Sequence, residues 1–165
     1  MESIKINLNK ITPCLWFKGN AEEAVKFYTS IFKNSKIGKA TYHGKDAPFP
    51  EGTVLTIPFQ IEGQDFLALN GGPEFTFNES VSFIVNCETQ QEIDKFMSKL
   101  SAGGSIQQCG WLKDRFGLSW QVVPKILTEM LQTDDPAKSN RVLQAIMGMV
   151  KIDIETLKRV YINEK

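Results

Sequence analysis

One histidine serves the whole 165-residue chain. It stands in TYHGKD, three residues before Asp46, where a carboxylate could orient an imidazole acting as a general base. The same residues read equally as a solvated turn. Asn70-Gly71-Gly72 could bring backbone N–H groups against a ligand, or simply supply a turn at positive φ. Cys14, Cys87 and Cys109 are odd in number and lack C-x-x-C spacing, so they read as free thiols of a reducing cytoplasm. A reactive thiol would need a basic neighbourhood or a helix N-terminus. The stretch KDRFGLSWQVVP raises a different question. As a strand it sends Leu118, Trp120 and Val122 to one face and Ser119, Gln121 and Val123 to the other. A glutamine amide among apolar residues needs partners if buried. That second face therefore looks at core, at water or at a ligand.

The elements that must position these residues form a repeat. In PCLWFKGNAEEAVKFYTSIFKNSKI (13–37) a short apolar run turns at Gly19-Asn20. Helical spacing follows through Ala24, Phe27, Tyr28 and Ile31. Asn20 is placed to cap that helix, with Glu23 closing a capping box. Shifted by 69 residues, SFIVNCETQQEIDKFMSKLSAGGSI (82–106) repeats the pattern without a gap. Leu15 falls on Ile84, Glu23 on Glu92, Phe27 on Phe96 and Ile37 on Ile106. Three strand candidates follow each helix: IGKATYHG, TVLTIPFQIEG and QDFLALNGG in the first copy, SIQQCG, WLKDRFG and LSWQVVP in the second. Glu62-Gly63 between two apolar runs signals a hairpin. Both copies read β-α-β-β-β, which predicts an α+β protein with helices on one face of mainly antiparallel sheet. The expected organisation is a single domain, 1–165, with modules at about 11–72 and 80–124. A helical extension, 125–165, follows, with Asp135 and Pro136 starting one helix and Asp153 another. It would either add to the core or meet a second subunit.

Composition excludes several classes. Nineteen basic residues balance nineteen acidic ones, which argues against nucleic-acid binding. No apolar run approaches the ~20 residues that span a bilayer. The opening MESIKINLNKITP lacks the apolar stretch of a secretion signal, so a cytoplasmic protein is expected.

Two β-α-β-β-β units with an EEAVKFY helix and a closing DRFGLSWQVV resemble the vicinal oxygen chelate superfamily of glyoxalases, bleomycin-resistance proteins and extradiol dioxygenases. ITPCLWFKGNAEEAVKFYTSIF, FLALNGGP, FGLSWQVVP and RVLQAIMGMVKIDIETLKRVY resemble more closely its PhnB-like branch, the 3-demethylubiquinone-9 3-methyltransferase domain. The resemblance covers about Ile11 to Tyr161. It implies that each module curls into a half-barrel and that two half-barrels enclose a pocket. It also implies a metal site on opening and closing strands, with His and Glu as common ligands. The matched positions here are Pro13, Ser82, Leu69 or Asn70, and Gln121. They offer neither imidazole nor carboxylate, so no metal and no other cofactor is expected. No G-x-G-x-x-G occurs, which argues against a methyl-transfer cofactor as well.

The pocket candidates that follow are Phe17, Asn70, Ser82, Trp111, Ser119 and Gln121. The expected function is metal-free binding of a small organic molecule by a homodimer, without nucleic acid or membrane. The alternative is an enzyme of the vicinal oxygen chelate type, lyase, isomerase or dioxygenase-like, acting on a small oxygenated substrate.

Overall fold

A computed structural model describes residues 5–163. They fall into two compact units that divide between Thr76 and Phe77.

The first unit holds β1 (Cys14–Phe17), α1 (Ala21–Ile31), β2 (Ser35–Ile37), β3 (Thr41–Tyr42), β4 (Val54–Ile61) and β5 (Gln64–Asn70). Its sheet runs β1-β5-β4-β2, with β3 also on β4. β1 is parallel to β5 and the other pairs are antiparallel. The helix buries Ala24, Val25, Tyr28 and Ile31. Phe27, expected on that stripe, is only half-buried, and Val25 takes its place. Tyr28 stacks on Phe59, and Phe59 on Phe66, with ring centroids 6.2 and 5.1 Å apart. The expected hairpin forms: Glu62 and Gly63 sit at φ 47° and 80°, the two positive values that the tightest hairpin turn demands. The run IGKATYHG is broken into two strands. At the break the Gly38 N–H donates to the Pro58 carbonyl at 2.8 Å, and a β-carbon on Gly38 would lie 2.8 Å from the Pro58 ring.

The expected capping box at Asn20 is not made, because the Asn20 side chain forms no cap hydrogen bond. Asn70, at the end of β5, does that work instead. Its Oδ1 accepts from the Ala21 N–H at 2.9 Å.

The second unit holds β6 (Ser82–Cys87), α2 (Gln90–Leu100), β7 (Ser105–Ile106), β8 (Trp111–Lys113) and β9 (Ser119–Pro124). Its sheet runs β6-β9-β8-β7, with β6 parallel to β9. Here the capping is local. Thr89 Oγ1 accepts from the Glu92 N–H, and the Glu92 carboxylate accepts from the Glu88 N–H at 2.7 Å. The helices α3 (Ile126–Leu131), α4 (Pro136–Met147) and α5 (Ile154–Ile162) follow. They gather Met130, Val142, Ile146, Ile152 and Leu157 into a small core of their own. The Gln90 side chain fastens this core to α2, donating to the Ile152 carbonyl and accepting from the Ile154 N–H, both at 3.0 Å. These helices thus extend the packing of the second unit. No helix among the described residues is long and apolar enough to cross a membrane.

Candidate ligand-binding site

The turn DRFG sets the direction of β9. Asp114 accepts from the N–H groups of Phe116 and Leu118 through Oδ1, at 2.8 and 3.1 Å, and Gly117 takes φ 87°. Its other oxygen, Oδ2, accepts from Trp120 Nε1 at 2.9 Å. Trp120 and Val122 are thereby buried on one face, with the Trp120 ring 5.6 Å from Phe83. Strand alternation sends Ser119, Gln121 and Val123 to the other face.

Cross-strand register decides what they meet there. Ser119 lies between Ser82 and Lys113, and Gln121 lies between Ile84 and Trp111. Ser82, Trp111, Ser119 and Gln121 are therefore brought together on one sheet face. Gln121 Nε2 donates to Ser82 Oγ at 2.9 Å, and both residues are half-buried. Ile84 is 55% exposed beside them. Ser119 is fully buried, and its Oγ has no hydrogen-bond partner among the described residues. At the edge of the patch Lys113 pairs with Glu79, and that hydrogen bond holds the Glu79 carboxyl below its ordinary range. The result is an apolar platform carrying one amide–hydroxyl pair, a composition common to small-molecule sites.

Phe17 and Asn70 belong to the first unit. Both are on the helix-covered side of the first sheet, 2% and 7% exposed. Asn70 Nδ2 donates to the Val54 carbonyl at 3.0 Å, so its amide ties β4, β5 and α1 together. The opposite side of that sheet presents Trp16, whose Nε1 donates to the Gly72 carbonyl at 2.9 Å and whose ring meets Phe75 edge-on.

No hydrogen bond or ion pair among the described residues joins His43 to Asp46, which is exposed. The imidazole is instead buried against the Phe49 ring, 4.9 Å between centroids. Cys87 is buried at the end of β6, and burial, assisted by Glu92, pushes its thiol up to about 12. It is a poor nucleophile at neutral pH. Among the described residues no group of three or more His, Cys, Asp and Glu side chains could hold a metal ion. At two of the positions where the resemblance places ligands stand the hydroxyl of Ser82 and the amide of Gln121, bonded to each other. This donor set does not fit a transition-metal centre.

The family described as 3-demethylubiquinone-9 3-methyltransferase matches residues 9–123. Among solved structures, the putative 3-demethylubiquinone-9 3-methyltransferase PhnB protein of Bacillus cereus is 38% identical, with a TM-score of 0.65. It covers 70% of this chain and 99% of its own. Protein PA1353 of Pseudomonas aeruginosa is 22% identical over 71% of this chain and 98% of its own, TM-score 0.58. The genomically encoded fosfomycin resistance protein FosX of Listeria monocytogenes, complexed with Mn(II) and sulfate, shares the fold. It is 16% identical over 77% of this chain and 100% of its own, TM-score 0.53. No curated protein matches the chain.

Proposed function

The chain belongs to the 3-demethylubiquinone-9 3-methyltransferase family, and from that premise we propose that it is a metal-free binding protein for a small organic molecule. The observation that carries this reading is the half-buried Gln121–Ser82 pair set among Trp111, Ile84 and Val123. Apolar walls supply affinity, and an amide and a hydroxyl fix orientation. The donor set at the matched positions supports binding without metal. Methyl transfer is not part of the reading. The Asn70-Gly71-Gly72 turn leads through residues 71–81 into β6 without the helix that a nucleotide-binding turn requires.

The test is a thermal-shift screen of small organic molecules against protein stripped of metal by chelation. At least one hit is expected, and Gln121→Leu should weaken it about tenfold, the loss of one net hydrogen bond. A screen in which no hit is weakened by Gln121→Leu would overturn the reading. So would hits that bind only after Mn(II), Zn(II) or Ni(II) is restored, or about one such metal per chain in untagged protein.

The same reading includes a homodimer in a reducing cytoplasm. β6 is an edge strand with Ile84 exposed on it and Val81 exposed just before it, and edges of that kind invite pairing. The three cysteines are free. Light scattering at micromolar concentration should give twice the chain's 18.6 kDa, and a mass near 18.6 kDa counts against the dimer.

A further inference from the structure

A separate cleft opens in the first unit, on the side of the sheet that carries α1. It holds about 420 Å³ and is lined by Glu22, Tyr42, His43, Phe49, Thr53 and Asn70, among others. His43 reaches it from the end of β3, where its backbone is pinned on both sides. Its N–H donates to the Thr53 carbonyl and its carbonyl accepts from the Gly52 N–H, each at 2.9 Å. The side chain is 8% exposed, and Nε2 has no hydrogen-bond partner among the described residues. A buried polar nitrogen of this kind costs free energy until something bonds to it.

The lining indicates what that partner is. The Asn70 amide is already used on both sides, by Ala21 and Val54. Among the described residues Glu22 is the one charged side chain lining the cleft, and no lysine or arginine joins it there. Tyr42 and Phe49 add two aromatic faces. The positive end of α1 is close by, but its first N–H is occupied by Asn70 Oδ1 and its first turn carries Glu22 and Glu23. An anion would meet a carboxylate with no cation to offset it. An ammonium group fits each feature: it donates to an imidazole nitrogen, pairs with a carboxylate and lies favourably over aromatic faces. We propose that the His43 cleft is a second binding site, independent of the β9 face, and that it takes a small primary ammonium compound.

The single histidine makes the test direct, because the chain gives one set of imidazole C–H signals by proton NMR. Benzylamine, benzyl alcohol and benzoate share a ring and differ in charge. Benzylamine titrated into the full-length protein at fixed pH should shift the imidazole signal saturably. Benzoate should leave it in place, and benzyl alcohol should bind more weakly. Glu22→Gln alters an exposed side chain, so the fold is kept, and it should weaken benzylamine about fivefold, as loss of a partly exposed ion pair does. Gln121→Leu should leave this titration unchanged, which separates the cleft from the β9 face. No saturable shift with benzylamine, an equal response to benzoate, or unaltered affinity in Glu22→Gln would each overturn the proposal.

Discussion

α1 and α2 begin at corresponding points of the two units and are held there by different means. α2 is capped within its own stretch of chain, by Thr89 and Glu92. α1 is capped from 49 residues away, by an asparagine at the end of β5 that also bonds β4. The first arrangement makes a helix start a local property. The second makes it conditional on a finished sheet. The polar side chains differ in the same spirit. In the second unit the polar side chains Ser82 and Gln121 satisfy each other and stay reachable. In the first unit the equivalent tie is buried; among the described residues each unit keeps one buried polar atom without a partner, His43 Nε2 in the first and Ser119 Oγ in the second.

The largest expected effect contrasts two tryptophans. Trp120 is 3% exposed and its indole N–H is bonded to buried Asp114. Trp120→Ala should cost ~3–5 kcal/mol, the range for emptying a large core site. Trp16 is half-buried on the sheet face away from α1, and Trp16→Ala should cost less than half as much. Urea denaturation of both variants checks the order. Equal losses would mean that the face of β1 away from α1 is as well packed as the core under α2.

The caps come next. Asn70→Ala strands the Ala21 N–H and the Val54 carbonyl in a buried setting, at about 1–3 kcal/mol for such unpaired groups. Thr89→Ala removes one cap bond at an exposed helix start, at about 1 kcal/mol. Melting curves in which Thr89→Ala is the more damaging would invert the comparison between local and tertiary capping.

Acid sharpens it further. Asp153 caps α5 by accepting from the Thr156 N–H at 2.7 Å, and its hydrogen bonds to Thr156 hold its carboxyl below the ordinary value. A carboxyl lowered in the folded state contributes stability above its unfolded pKa, and loses it as pH falls through the lowered value. Asp153→Ala should therefore cost about 1 kcal/mol at neutral pH. Its melting curve should converge with that of the native protein as pH drops below the aspartate range. The Asn70 cap is an amide, so the deficit of Asn70→Ala should persist over the same range. A deficit for Asp153→Ala that survives full protonation would show that its role is not electrostatic.

Much of this arrangement is legible in the residues themselves. The 69-residue repeat, the helices, the Glu62-Gly63 hairpin and the Asp135 and Asp153 caps are local patterns, and local patterns are what sequence periodicity reports. Register is also local once a strand's apolar face is known, which is why Ser119 and Gln121 could be assigned together. Three features were not legible. Phe17 is an apolar residue on a short strand, and nothing in CLWF says whether Trp16 or Phe17 turns toward the helix. Asn70 reads as part of a glycine turn, while its task is set by Ala21 and Val54, far away in sequence. His43 sits between glycine and tyrosine in what looks like a solvated turn, and only the return of Gly52 and Thr53 across it buries the ring.

The smallest expected effect on stability carries the most information about the β9 face. Gln121→Leu keeps the volume of the side chain and removes its amide. The bond it breaks runs to Ser82, a half-buried residue whose hydroxyl can turn to water. A stranded partner costs ~1–3 kcal/mol only when water cannot reach it. The melting temperature of Gln121→Leu should therefore stay close to that of the native protein. Asn70→Ala, which breaks its bonds where water is excluded, should fall well below both. If Gln121→Leu melts as low as Asn70→Ala, the Ser82–Gln121 pair is a sealed tie like the one at Asn70. The two units would then differ in the placement of their polar groups but not in their use. If it melts with the native protein while binding in the small-molecule screen weakens, the amide is held at a surface for a ligand.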